Sequence, residues 1–207
     1  MSSFQQAWRE LDPAPRRCLE LAYDALRCGG LAVGAVVTDP AGRIVAEGRN
    51  RAYDPPGGSD VLQGTPLAHA ELNALAAVRT GWDLAEHTVW STQEPCPMCA
   101  AALAFTGVGT VRFLARDPWA LATGATGSAP AAALGPVGGV WDTLASVLFL
   151  HSVALAGGPD HPTVRRNLEL APAPARIAVG LLTAAGPRPP SLPDYAGPLW
   201  DRLLGAG

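Results

Sequence analysis

Apolar positions recur at helical spacing through Cys18, Leu19, Leu21, Ala22, Ala25 and Leu26, behind Asp12-Pro13 and ahead of Gly29-Gly30. A capping residue, a proline at the first helical position and a glycine stop predict one amphipathic helix there. The pattern then changes to short apolar-rich runs. Leu31 to Thr38 and Arg43 to Gly48 flank the turn sequence Asp39-Pro40-Ala41-Gly42, and together they predict an antiparallel hairpin. A loop rich in proline and glycine follows, through Pro55, Pro56, Gly57, Gly58 and Gly64.

Ala68 to Thr80 is rich in Ala and Leu with Gly81 beyond it, which predicts a helix carrying His69 and Glu71 in its first turn. Thr88 to Thr92 and Thr110 to Ala115 read as strands, and Cys96 to Thr106 as a helix with Pro97 at its first position. Strand, helix, strand, helix and strand after an opening hairpin imply an α/β domain with helices layered on a mixed sheet. The core is expected to end near Asp117, giving a domain over 1–120 and a C-terminal helical extension over 121–207 packed on it. From Gly124 to Gly139 the composition turns to Gly, Ala and Pro, after which Trp141 to Leu155 and Ala175 to Ala185 predict two more helices. Ala171 to Ala175 reads as the linker between them.

Composition narrows the function. The 207 residues are 48% hydrophobic and 16% charged with a net charge of -3, the profile of a folded globular protein. All 15 positive charges are arginine, and they are scattered, so no basic stripe exists to neutralise a phosphate backbone. A nucleic-acid partner is therefore disfavoured and a small-molecule substrate favoured. The first ten residues lack the apolar core of a secretion signal and no membrane span is predicted, which places the chain in the cytoplasm. In that setting Cys18, Cys28, Cys96 and Cys99 are thiols or metal ligands rather than a disulfide framework. Cys18 and Cys28, on or at the end of the first helix, are expected to be small buried core residues.

Cys96 and Cys99 are a different matter. Cysteines three apart at a helix start can turn both sulfurs toward one ion, and a histidine from another helix, His69, supplies a third ligand. Three protein ligands leave a fourth tetrahedral position for a water or hydroxide, so one Zn2+ per chain is expected, with a water that ionises near neutral pH. Glu71, two residues from His69, is placed to take the proton of that water and pass one to a leaving amine, which is hydrolytic deamination.

His69-Ala70-Glu71 followed by Pro95-Cys96-Pro97-Met98-Cys99 resembles the zinc signature of the cytidine deaminase superfamily. Thr92 to Ala100, and Ala115-Arg116-Asp117 after the next strand, are similar to the branch containing tRNA adenosine deaminases and small guanine or cytosine deaminases. The likeness covers roughly residues 15 to 125 and implies the three-layer α/β/α fold of that superfamily, a mixed sheet with helices on both faces. It also implies a homodimer. Within it, Asn50 in Gly48-Arg49-Asn50 would meet the substrate, as would the backbone at Ala70 and Pro95, with Asp117 and Trp119 as weaker contacts. Closing a turn is the alternative use of Asn50, and the substrate role is the favoured one.

The chain departs from the tRNA-acting relatives in lacking a basic C-terminal helix, with Phe105-Thr106-Gly107 after the cysteine helix. Deamination of a small nucleobase, nucleoside or related heterocycle is the reading. A tRNA adenosine deaminase and a non-catalytic zinc-stabilised module are the alternatives. His87, His151 and His161 lack ligand partners at the right spacing and read as ordinary. Trp119, Trp141, Tyr195 and Trp200 read as core or interface residues, with a lid over the pocket as the other use.

Overall fold

The structure, a computed structural model, describes residues 3–57, 60–124, 133–183 and 187–206. Strands β1 (Gly34–Thr38), β2 (Ile44–Arg49), β3 (Thr88–Gln93), β4 (Thr110–Ala115) and the short β5 (Ala133–Leu134) form one sheet in the order β2-β1-β3-β4-β5. The hairpin β1/β2 is antiparallel, as is β1/β3, while β3/β4 and β4/β5 are parallel. The mixed α/β sheet expected from the element order is what the chain forms.

Two helices cover the two faces of the hairpin. In the register Gly34↔Arg49 and Ala35↔Gly48, Gly34 and Gly48 point to opposite faces because neighbours along a strand alternate. A Cβ on Gly34 would sit 2.7 Å from the backbone N of Ala22 in α2 (Pro13–Arg27), and one on Gly48 would sit 2.5 Å from both Ala70 O and Ala74 N in α3 (Ala70–Ala76). Both helices therefore lie backbone against strand, α2 on one face and α3 on the other. Gly48→Ala should push α3 off the sheet and destabilise by about 1–3 kcal/mol, the usual cost of overpacking. A denaturation midpoint equal to wild type would show that this spacing relaxes freely.

The core on the α2 face joins Leu19, Tyr23 and Leu26 to Leu114 of β4 and to Leu144 and Leu148 of α6 (Gly139–Gly157). The core on the α3 face joins Ala35, Val37, Ala74, Val89 and Val111 to Phe149 and Val153 of the same α6. One helix thus serves both cores. This explains why α6 is apolar on every side: it satisfies the length and composition of a membrane span, yet 61% of that window is buried inside the protein.

Several expectations need correction. The N-terminus forms an unforeseen helix, α1 (Phe4–Glu10), which brings Phe4 and Trp8 to Trp141 and Trp200, with Phe4 and Trp200 ring centroids 5.4 Å apart. Cys18 is fully buried, but Cys28 is exposed, because it is the C-cap of α2 and projects past the last packed turn. The third helix closes at Ala76 rather than Thr80, where Val78 N bonds to Leu75 O at 3.0 Å and Val78 turns back onto the apolar core.

The linker expected over Ala171 to Ala175 is a single residue, Ala171, between α7 (Pro162–Leu170) and α8 (Pro172–Gly180). Proline is tolerated in a first helical turn, so Pro172 starts the helix it was expected to exclude. The helix read from Ala175 to Ala185 ends at Gly180 and continues as a 3-10 turn over Leu181–Thr183, with residues 184–185 outside the described residues. The stretch from Gly124 to Gly139 likewise includes 125–132, outside the described residues.

Candidate active site

The site begins with two helix starts. His69 is the N-cap of α3 and Cys96 the N-cap of α4 (Pro97–Phe105), both with extended backbone angles and neither committing its side chain to the cap. The side chains face each other instead. His69 Nδ1 lies 3.6 Å from Cys96 Sγ and 3.6 Å from Cys99 Sγ, and the three donor atoms all lie within 4.8 Å of one another. For tetrahedral zinc, Zn–S near 2.3 Å and Zn–N near 2.0–2.1 Å put neighbouring S and N about 3.6 Å apart. Two thiols and an imidazole at this span fit zinc by donor chemistry and by distance. Among the described residues no other three His, Cys, Asp or Glu side chains gather in this way, and His87, His151 and His161 remain apart from the cluster.

Crowding of the donors perturbs their protons. The Cys96 thiol is pulled down to about 4, chiefly by its hydrogen bond with Cys99, with His69 adding to the effect. The same bond, with burial, pushes Cys99 up, and His69 is raised by its bond to Cys96. Because only the thiolate binds a metal, an ion held by both sulfurs would displace the proton that Cys99 keeps here.

Glu71 is 4% exposed and stands beside the donors without joining them. Its Oε1 accepts a hydrogen bond from Ser91 Oγ at 3.0 Å, and its Oε2 accepts from Cys99 Sγ at 3.5 Å. Burial raises its carboxyl above the usual range, so Glu71 holds a proton more readily than a surface glutamate does. Asp117, the N-cap of α5 (Pro118–Thr123), accepts from Trp119 N at 2.9 Å, and burial raises it to about 6.

These groups open into a cavity of about 820 Å³ whose lining includes Asn50, His69, Glu71, Gln93, Cys96 and Asp117. Asn50 is 2% exposed; its Oδ1 accepts from Ala52 N at 3.1 Å, so it closes a turn and faces the cavity at once. Ala70 and Pro95, expected to face the substrate, are buried and do not line the cavity. Trp141, Tyr195 and Trp200 belong to the core, whereas Trp119 is 45% exposed on the cavity rim.

Other cavity residues were not singled out from sequence. Gln93, 3% exposed, donates Nε2 to Ala145 O at 3.0 Å and leaves Oε1 without a partner among the described residues. Its place at the strand end just before Glu94-Pro95-Cys96 was the available signal. Phe149 and Val153 of α6 form a wall, and His161 stands at the rim. No local pattern marks these, since they meet the site only through the fold. The loop after Asn50 is shaped by charge: Arg49 grips Asp54 with two hydrogen bonds, 3.0 and 2.7 Å, and Arg51 binds Asp60 at 2.5 Å.

Fold and donor set together define a class of protein. Residues 9–115 match the cytidine and deoxycytidylate deaminase zinc-binding region, and the chain belongs to that family. It is 38% identical over 116 residues to the tRNA-specific adenosine deaminase of Haemophilus influenzae, covering 55% of this chain and 61% of that protein. It is 35% identical over 151 residues to the tRNA(Ile)-lysidine synthase of Deinococcus deserti, covering 72% of this chain and 24% of that protein. The chain thus spans less than two thirds of the length of these relatives. The solved structure of NE0047 in complex with 2,6-diaminopurine shares the fold, with a TM-score of 0.56 and 24% identity over 74% of this chain and 89% of that one.

Proposed function

We propose that the protein is a zinc-dependent hydrolytic deaminase that removes an exocyclic amine from a small nucleobase, nucleoside or related heterocycle and releases ammonia. The observation that carries this reading is the buried Glu71 carboxylate, set 3.5 Å from a metal donor yet outside the donor set. A purely structural zinc site is closed by four protein ligands and has no use for such a carboxylate. His69 Nδ1, Cys96 Sγ and Cys99 Sγ would hold the zinc, which when bound lowers the pKa of water from about 15.7 to near 7.

The rest falls to the chain's own residues. Ser91 fixes Oε1, and Oε2, relieved of the Cys99 thiol proton once that sulfur binds as a thiolate, would take one proton from the attacking water and give it to the departing amine, while the water's second proton passes to the ring nitrogen, so that the aminated carbon becomes a carbonyl and the amine leaves as ammonia. Its raised affinity for protons suits a group that must hold one between the two transfers. Asn50, Asp117 and Gln93 would orient the heterocycle. The reading includes a homodimer.

Similarity to the Haemophilus influenzae enzyme supports a second reading, deamination of adenosine in tRNA. A chain of net charge -3 with no lysine is poorly suited to that polyanion. Ammonia release should be measured from the zinc-loaded protein with a panel of aminopurines, aminopyrimidines, their nucleosides and unmodified tRNA. Release from a small molecule is the expected result. Salt-sensitive release from tRNA alone would favour the second reading, and background release throughout would overturn both.

A further inference from the structure

We propose that the substrate of this site carries an apolar or aromatic substituent on its aminated heterocycle, and that the substituent lies along α6. The inference rests on the deaminase reading above and names the substrate class more narrowly. A cavity of about 820 Å³ is far larger than a bare base needs and falls near the upper end of the roughly 300–1,000 Å³ typical of sites that bury drug-sized ligands.

Two parts of the cavity lining differ in chemistry. One holds the candidate metal donors and Glu71. The other is a wall that runs from buried Phe149, Ser152 and Val153 out to exposed Ala156 and Gly157, spaced i, i+3, i+4, i+7 and i+8, which is one continuous face of α6. Leu31 and Val33 line it as well. The one hydroxyl on the α6 face is already spent: Ser152 Oγ accepts from Ala32 N at 3.1 Å and donates to Phe149 O at 2.6 Å. Phe149 and Val153 are each 7% exposed and belong to the α3-side core, so this wall is rigid and formed in advance.

The rim is aromatic. Tyr53 is 66% and Trp119 45% exposed there. His161 packs closely on α6, because a Cβ on Gly157 would stand only 2.6 Å from its ring, and its Nδ1 accepts from Thr163 N at 3.3 Å. Exposed aromatic edges around a dry wall suit a flat or apolar group rather than a sugar phosphate. Charge points the same way: among the described residues no arginine lines the cavity, while Glu71, Glu94 and Asp117 do, so a phosphorylated substituent would be repelled.

The test uses a matched series: adenine, 9-ribosyladenine, its 5′-phosphate and 9-benzyladenine, with the corresponding N1-substituted cytosines. Affinity is measured by calorimetry on zinc-loaded Glu71→Gln, which binds without turnover, and ammonia release on zinc-loaded wild type. The benzyl member is expected to bind at least tenfold tighter than the bare base and the phosphate more weakly than the nucleoside. Ala156→Trp, built into Glu71→Gln at an exposed position on the outer wall, should cut the benzyl advantage to under threefold without lowering the melting temperature. Equal affinity for bare and benzylated bases, or a benzyl preference that survives Ala156→Trp, overturns the proposal. Benzyl preference without ammonia from any member supports binding along α6 and overturns the deaminase reading instead, so the two failures are distinct.

Discussion

Glu71→Gln is expected to reduce ammonia release by ~10²- to 10⁴-fold, the range attributed to a positioned general acid–base, while bound zinc and melting temperature stay near wild type. The division of labour in the site predicts this asymmetry. Glu71 lies outside the His69, Cys96 and Cys99 donor set, so its loss removes no ligand. Glutamine has the same shape, and its amide oxygen can still accept from Ser91 Oγ, the bond now made at 3.0 Å. What glutamine cannot do is carry a proton between water and amine. Removing a buried acidic group also removes its desolvation cost, so stability should not fall. Zinc content, melting temperature and kcat/KM, measured together, test the division. A zinc-free Glu71→Gln protein would make Glu71 a ligand, and an active one would move the proton transfer elsewhere.

Cys96→Ala and Cys99→Ala should show the converse, loss of zinc together with loss of stability. Cys99 is fully buried and Cys96 half-buried at the start of α4, where both sulfurs meet His69 at 3.6 Å. A ligand bound at 100 to 1,000 times its Kd adds about 2.7–4.1 kcal/mol to folding. For a chain of this size each kcal/mol moves the melting temperature by about 2–4 °C, so the drop should be roughly 5–15 °C. A chelator should lower wild type by the same amount and leave the cysteine variants unmoved. Calorimetric scans with and without chelator check this, and a wild type indifferent to chelation would exclude a metal that contributes to folding.

How much was legible follows from how far apart the interacting residues lie. The hairpin around Asp39 to Gly42 was readable because turn residues and flanking apolar runs act within ten positions. The helix after Asp12-Pro13 was readable from its cap, its periodicity and its glycine stop. The fate of Cys28 was not, since one position past the last packed turn separates a buried residue from an exposed one. Nor was α1, whose short run of seven residues is held by packing of Phe4 and Trp8 on aromatics more than 130 positions away.

The metal-binding candidates and Glu71 were legible for a local reason. Each half is a short motif at a helix start, where the first residues of a turn project side chains beyond the helix, so i, i+2 and i, i+3 spacing already constrains their directions. By itself the sequence pointed to the candidate donors, to Glu71 beside them and to the alternation of strands and helices from α2 to β4, because each depends on neighbours in the chain. Only the tertiary structure decided the cavity. Its far wall is α6, which serves two cores and is apolar all round, so no periodic stripe marks the face it turns to the site. Its loop side carries Tyr53, from a stretch in which Arg49 and Arg51 close on Asp54 and Asp60, a choice among scattered charges that chain order does not make. The chemistry is written locally, and the space that selects a substrate exists only once distant segments pack.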